Sequence, residues 1–173
     1  MNTLSEVGSA QLTTGRTGSR SGRLRLVDYL DEKRVITDLR GATCDQVLRE
    51  MIATFGDHPR VLDPEVFGAA VFAREAQAST AVGGGLAIPH ARTDAVTDFV
   101  AALGRSRDGV DFGSPNGPVR IVVMMGIPSH RLKGYLRMLS HLSYIFKRPG
   151  LVEDLLEAPD PVAVLALLRR HEG

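Results

Sequence analysis

The sequence predicts a single α/β domain. Segments with helical spacing recur along the chain, Val47, Leu48, Met51 and Ile52 among them. Between them lie short runs rich in β-branched and apolar residues, such as 35–39 and 99–103. Residues 119–125 are apolar almost throughout, Arg120 excepted, as expected of a central strand buried on both faces. Helices alternating with three to five strands mean layered α/β packing rather than a bundle or a sandwich. At 173 residues the chain can bury one sizeable core.

In chain order, Leu26, Val27 and Leu30 point to a short helix, and 35–39 to a strand. Thr43 is placed to cap the helix carrying the Val47 stripe. Asp63-Pro64-Glu65 opens a second helix, with Asp as N-cap and Pro at the first helical position. Val66, Phe67, Ala70 and Val71 should face the core, and Arg74-Glu75 falls in the last turn. A glycine stretch leads into a short strand at 86–88, and a further strand follows at 99–103. Residues 104–118 hold four glycines and two prolines and read as loop, with a minor strand near Val110. After the 119–125 strand, Leu132, Leu136, Leu139, Leu142 and Phe146 mark a long helix that Pro149-Gly150 ends. Residues 151–156 and 162–168 form two more helical pieces.

Charge and composition narrow the function. The net charge of +1 makes no case for nucleic acid or an anionic membrane. The basic excess sits in the first 25 residues, where Arg16, Arg20, Arg23 and Arg25 face only Glu6. Residues 1–22, rich in Gly, Ser, Thr and Arg, read as a flexible basic tail ahead of a domain at 23–173. The one cysteine, Cys44, rules out an internal disulfide and fits a reducing cytoplasm. No apolar run approaches a membrane span, and the N-terminus has no signal-type apolar core.

The chemistry concentrates in 79–92, Ser-Thr-Ala-Val-Gly-Gly-Gly-Leu-Ala-Ile-Pro-His-Ala-Arg. Glycine permits a tight turn and close backbone approach, and Pro89 fixes the backbone just ahead of His90. No Gly-Lys-Ser/Thr follows, so this is not a nucleotide P-loop, and it lacks dinucleotide spacing. A neutral imidazole is a good nucleophile near pH 7, since its ordinary pKa is about 6.5. Moving a phosphoryl group onto it needs positioning, donors and positive charge. Arg74 offers a planar fork matched to phosphate, while Thr80 and the amides of Gly83 to Gly85 offer neutral donors. The spacing of His90, His130 and His141 matches no zinc motif, and neither a metal nor a cofactor is expected.

Arg74-Glu75, Ser79-Thr80, Gly83, Gly85 and Ala87-Ile88-Pro89-His90 together resemble the EIIA domain of the fructose–mannitol type. This domain belongs to the bacterial phosphoenolpyruvate-dependent sugar phosphotransferase system, and its group includes nitrogen-regulatory EIIA proteins. The resemblance runs from about Leu24 to the C-terminus. It implies a mixed sheet flanked by helices on both sides. It also implies that His90 accepts phosphate from an HPr-type carrier and passes it to an EIIB domain, or holds it as a signal. Arg74 matches the family arginine beside the phosphohistidine.

One position departs from the family pattern. A second active-site histidine is usual early in the long helix, and counting from Pro128 puts Tyr135 there. Tyrosine donates one hydrogen bond but is neutral at pH 7. The departure tilts the expectation from sugar uptake towards regulation, and leaves an interaction module with weak or no transfer as the alternative. His130 and His141 are expected at the surface or in packing, and Cys44 as a small buried residue.

Overall fold

The computed structural model describes residues 24–173. The expected tail at 1–22 lies outside the described residues. Two short 3-10 turns, Leu26–Tyr29 and Glu32–Arg34, lead into β1 (Val35–Ile36), α1 (Cys44–Ala53) and α2 (Pro64–Gln77). Three short strands follow: β2 (Ala81–Gly83), β3 (Leu86–Ala87) and β4 (His90–Arg92). The long strands β5 (Val100–Val110) and β6 (Val119–Ile127) come next, then α3 (Leu132–Ile145), α4 (Leu151–Glu157) and α5 (Pro161–Glu172).

The sheet is mixed and six-stranded, in the order β1-β5-β6-β3-β2, with β4 also paired to β6. β5 and β6 are antiparallel, β1 runs parallel to β5, and β3 and β4 both run parallel to β6. The apolar run at 119–125 is therefore the central strand, as predicted. Its alternation feeds two cores. Ile121, Val123, Met125 and Ile127 pack with α3, α4 and α5, whereas Val122 and Met124 pack with α1 and α2.

The caps form as read. Thr43 accepts from the Gln46 amide, and Asp63 accepts from the amides of Glu65 and Val66. Phe67 and Val71 are buried, but Val66 is 51% exposed, because it lies beyond the edge of the α2 face that meets the sheet. The predicted strand at 35–39 shortens to its first two residues. The predicted loop at 104–118 begins later, since β5 continues to Val110 through an irregularity between Arg105 and Val110. The glycine stretch is a hairpin turn between β2 and β3, with φ of +90°, +63° and +75° at Gly83, Gly84 and Gly85. Those values are left-handed, which explains the glycines.

Close packing at Gly126 sets the height of α2 above the sheet. A methyl group there would meet the Phe67 ring at 2.8 Å and Val100 at 2.7 Å. Without one, α2 packs against β4, and Arg74 and Gln77 of its last turn line a cleft with His90.

A buried carboxylate ties the start of the domain to its end. Glu172 is fully buried and accepts from the amides of Leu26 (2.6 Å) and Val27 (2.9 Å). His141 Nε2 lies 2.7 Å from the same carboxylate, so His141 belongs to packing, as expected. Glu172→Ala would strand two amides and an imidazole. We expect a loss of about 3–5 kcal/mol, read from urea unfolding, with Glu172→Gln losing less because it keeps one acceptor.

Candidate functional site

His90 opens β4 and pairs in register with Met125 of the central strand. Pro89 breaks the line between β3 and β4, and its carbonyl still accepts from the Met125 amide at 3.0 Å. The imidazole is thus fixed at a sheet position rather than on a loop. It is 6% exposed, and both ring nitrogens have partners. Nδ1 lies 2.7 Å from the Ile88 carbonyl oxygen, and Nε2 lies 2.8 Å from the Tyr135 hydroxyl. A carbonyl only accepts, so Nδ1 carries the proton and donates it. Nε2 then holds the lone pair, which accepts the phenol hydrogen.

Burial is the main force holding the His90 pKa below its ordinary value, and the Arg74 charge pushes the same way. The bond to the Ile88 carbonyl and the charge of Glu75 oppose them. The imidazole is neutral at pH 7 and lines a cleft of about 540 Å³. Ala70 and Ala73 of α2 leave that space open, and Arg74, Arg92, Ser129 and Tyr135 border it. Arg74 donates from Nη1 to the Ala78 carbonyl at 2.9 Å, capping its own helix while lining the cleft. Arg92 donates to the Ser129 carbonyl at 3.2 Å.

His90, Arg74 and Tyr135 line one cleft, and Tyr135, on α3, meets the imidazole. Thr80 and Gly85 do not line the cleft. The Thr80 hydroxyl donates to Glu75 at 2.6 Å and its amide does so at 2.9 Å, so neither points to a phosphate. The Gly85 carbonyl accepts the amides of Arg120 and Ile121, which ties the hairpin turn to β6. His130 is exposed and lies outside the cleft lining. Burial pushes the Cys44 thiol up to about 12, so it is inert at neutral pH. Arg92 received no role in the sequence reading. Two residues beyond His90 on one strand, it shares the imidazole's face, a relation visible only once β4 is read as a strand. Among the described residues no three His, Cys, Asp or Glu side chains gather to hold a metal ion. No described helix is long and apolar enough to cross a membrane.

A mixed sheet with helices on both faces, carrying a histidine-bearing cleft, is the layout of a phosphotransferase-system EIIA-type domain. Residues 28–171 match the family model described as "Phosphoenolpyruvate-dependent sugar phosphotransferase system, EIIA 2". The chain belongs to that family.

Among its relatives is the fructose-specific EIIA component of Haloferax volcanii, 34% identical over 128 residues, which are 73% of this chain and 83% of that protein. The fructose-specific EIIABC component of Bacillus subtilis is 30% identical over 150 residues. These are 86% of this chain but only 24% of that longer protein. The crystal structure of nitrogen regulatory protein IIA-Ntr from Neisseria meningitidis superposes with a TM-score of 0.76 at 26% identity, covering 82% of this chain and 97% of that one. The Escherichia coli IIA mannitol domain, solved in complex with phosphorylated IIB mannitol, gives 0.71 at 19% identity, covering 82% and 97%.

Proposed function

We propose that His90 is the phosphoacceptor of this EIIA-type domain, using Nε2, with an HPr-type carrier as donor. The observation that carries this reading is the buried imidazole whose Nδ1 is bound to the Ile88 carbonyl and whose Nε2 faces a cleft bordered by two guanidiniums. The Nε2 lone pair attacks phosphorus as the donor's N–P bond breaks, and the donor's nitrogen leaves with that electron pair. Nδ1 keeps its proton throughout. The Tyr135 hydroxyl shifts its hydrogen bond from Nε2 to a phosphoryl oxygen, and Arg74 and Arg92 offset the added charge. Onward transfer to an EIIB domain reverses these steps. The EIIA–EIIB complex known for the mannitol relative supports that class of partner. Both fructose-specific and nitrogen-regulatory relatives support a phosphocarrier whose output is sugar uptake or a signal, and we place its action in the cytoplasm.

The test is incubation with phosphoenolpyruvate, EI and HPr, followed by ³¹P and ¹⁵N NMR. Acid-labile phosphate on His90 Nε2 is expected, and an unlabelled protein would sink the reading. The alternative is an EIIA-like interaction module with weak transfer. It draws on Tyr135, whose neutral hydroxyl already occupies the accepting nitrogen. Two variants separate these readings. Tyr135→His supplies a group that can be cationic, and should raise the transfer rate on the order of tenfold, the worth of one charge-assisted hydrogen bond. Tyr135→Phe frees Nε2 but removes the phosphate donor, and should slow transfer several-fold. Faster transfer in Tyr135→Phe would instead make the hydroxyl an inhibitory cap.

A further inference from the structure

Glu75 stands next to Arg74 in α2 but does not border the cleft. Its carboxylate is engaged elsewhere: Oε1 accepts from the Thr80 amide at 2.9 Å and Oε2 from the Thr80 hydroxyl at 2.6 Å. This two-point grip fixes Thr80, which is only 4% exposed. The Thr80 carbonyl in turn accepts from the Ile88 amide at 3.0 Å. The Ile88 carbonyl then accepts from His90 Nδ1 at 2.7 Å. A continuous path thus runs from a carboxylate on α2 to the ring nitrogen that does not react. The Thr80–Ile88 bond lies beside the β2–β3 ladder, so the path crosses the hairpin.

We propose that Glu75 is a positioning residue for His90, acting through Thr80 and Ile88 to hold the imidazole in its Nδ1–H tautomer. The inference rests on His90 being the reacting group, and gives Glu75 the role that a directly bonded carboxylate fills for other catalytic histidines. Here the backbone transmits the constraint. A direct carboxylate partner would place a negative charge against a ring that has to approach a phosphoryl group. The relay sets two residues, Thr80 and Ile88, between that charge and the ring.

The test reads the ring before any phosphate is present. Protein labelled with ¹⁵N-histidine reports the His90 tautomer by NMR at pH 7.5, and initial rates of phosphorylation from phospho-HPr follow. Wild type should show Nδ1–H. Glu75→Ala and Thr80→Val should populate the Nε2–H form as well, and transfer should slow roughly tenfold, the usual effect of losing such an orienting partner. Glu75→Gln keeps an oxygen acceptor without the charge, and Thr80→Ser keeps the hydroxyl, so both should retain the wild-type tautomer. Unchanged Nδ1–H in Glu75→Ala overturns the proposal. So does a Glu75→Gln variant that matches Glu75→Ala, because the effect would then be one of charge alone. If Glu75→Ala does not fold, Thr80→Val against Thr80→Ser decides by the same signal. Should wild type take up no phosphate, the functional reading fails, while the tautomer comparison still decides the role of Glu75.

Discussion

The His90→Ala variant is expected to take up no acid-labile phosphate from phospho-HPr while remaining folded. Each of the other histidines lacks some part of the site. His58 accepts the Arg60 amide on Nδ1, His141 is held by Glu172, His130 lies exposed in a turn, and His171 sits in the last turn of α5, outside the cleft lining. Only His90 combines a carbonyl-fixed Nδ1, an Nε2 facing the cleft and nearby arginines. The substitution leaves the Ile88 carbonyl and Tyr135 hydroxyl without this partner, and should cost about 1–3 kcal/mol in urea unfolding. Equal labelling of wild type and variant would remove His90 from the chemistry.

The same residue sets a pH dependence. The folded His90 pKa lies below the ordinary value of about 6.5, so between the two the unfolded chain binds more protons than the folded one. Its contribution to stability is therefore lost as pH falls below about 6.5 and is constant above it. His58 titrates in the same direction, so His90→Ala should flatten only part of the acid limb. Transfer should be level through pH 7 and decline only where Nε2 becomes protonated.

Much of this site was legible because its parts are close in sequence. The Pro89–His90 step, the glycine turn and the Asp63-Pro64 helix start are local signals with direct backbone causes. Tyr135 came from counting from Pro128 to the position of the family's second histidine, and it meets His90. What was not legible depends on pairing. β2 and β4 are three residues each, and exist as strands only because β3 and β6 offer ladders to complete. Arg92 was therefore passed over. Thr80 looked like a phosphate donor because its hydroxyl was counted as free, whereas Glu75, five residues earlier and in the preceding helix, had claimed it. The exposure of Val66 depends on how α2 seats on the sheet, where Phe67 packs close to Gly126 on a strand distant in sequence.

Arg74→Ala should slow phosphorylation of His90 by about 10²–10³-fold, the range seen when one preorganised donor to a developing charge is removed. On the α2 side the cleft is lined by Ala70, Ala73, Arg74 and Gln77, so without Arg74 the phosphoryl charge would be met by one guanidinium, Arg92. Arg74→Lys keeps the charge without the fork and should recover only part of the rate. Stability should change little, since the bond to the Ala78 carbonyl is a single exposed contact worth about 1 kcal/mol. A separate readout comes from titration. The Arg74 charge helps depress the His90 pKa, so Arg74→Ala should raise it and move the acid decline of transfer to higher pH. The lysine variant should leave that decline close to where wild type has it. A rate within twofold of wild type, together with an unmoved His90 titration, would show that the guanidinium serves only to cap α2. A shifted titration with an unchanged rate would place the charge near the ring but outside the transition state. Loss of both is the result expected of an arginine that faces the phosphoryl group during transfer.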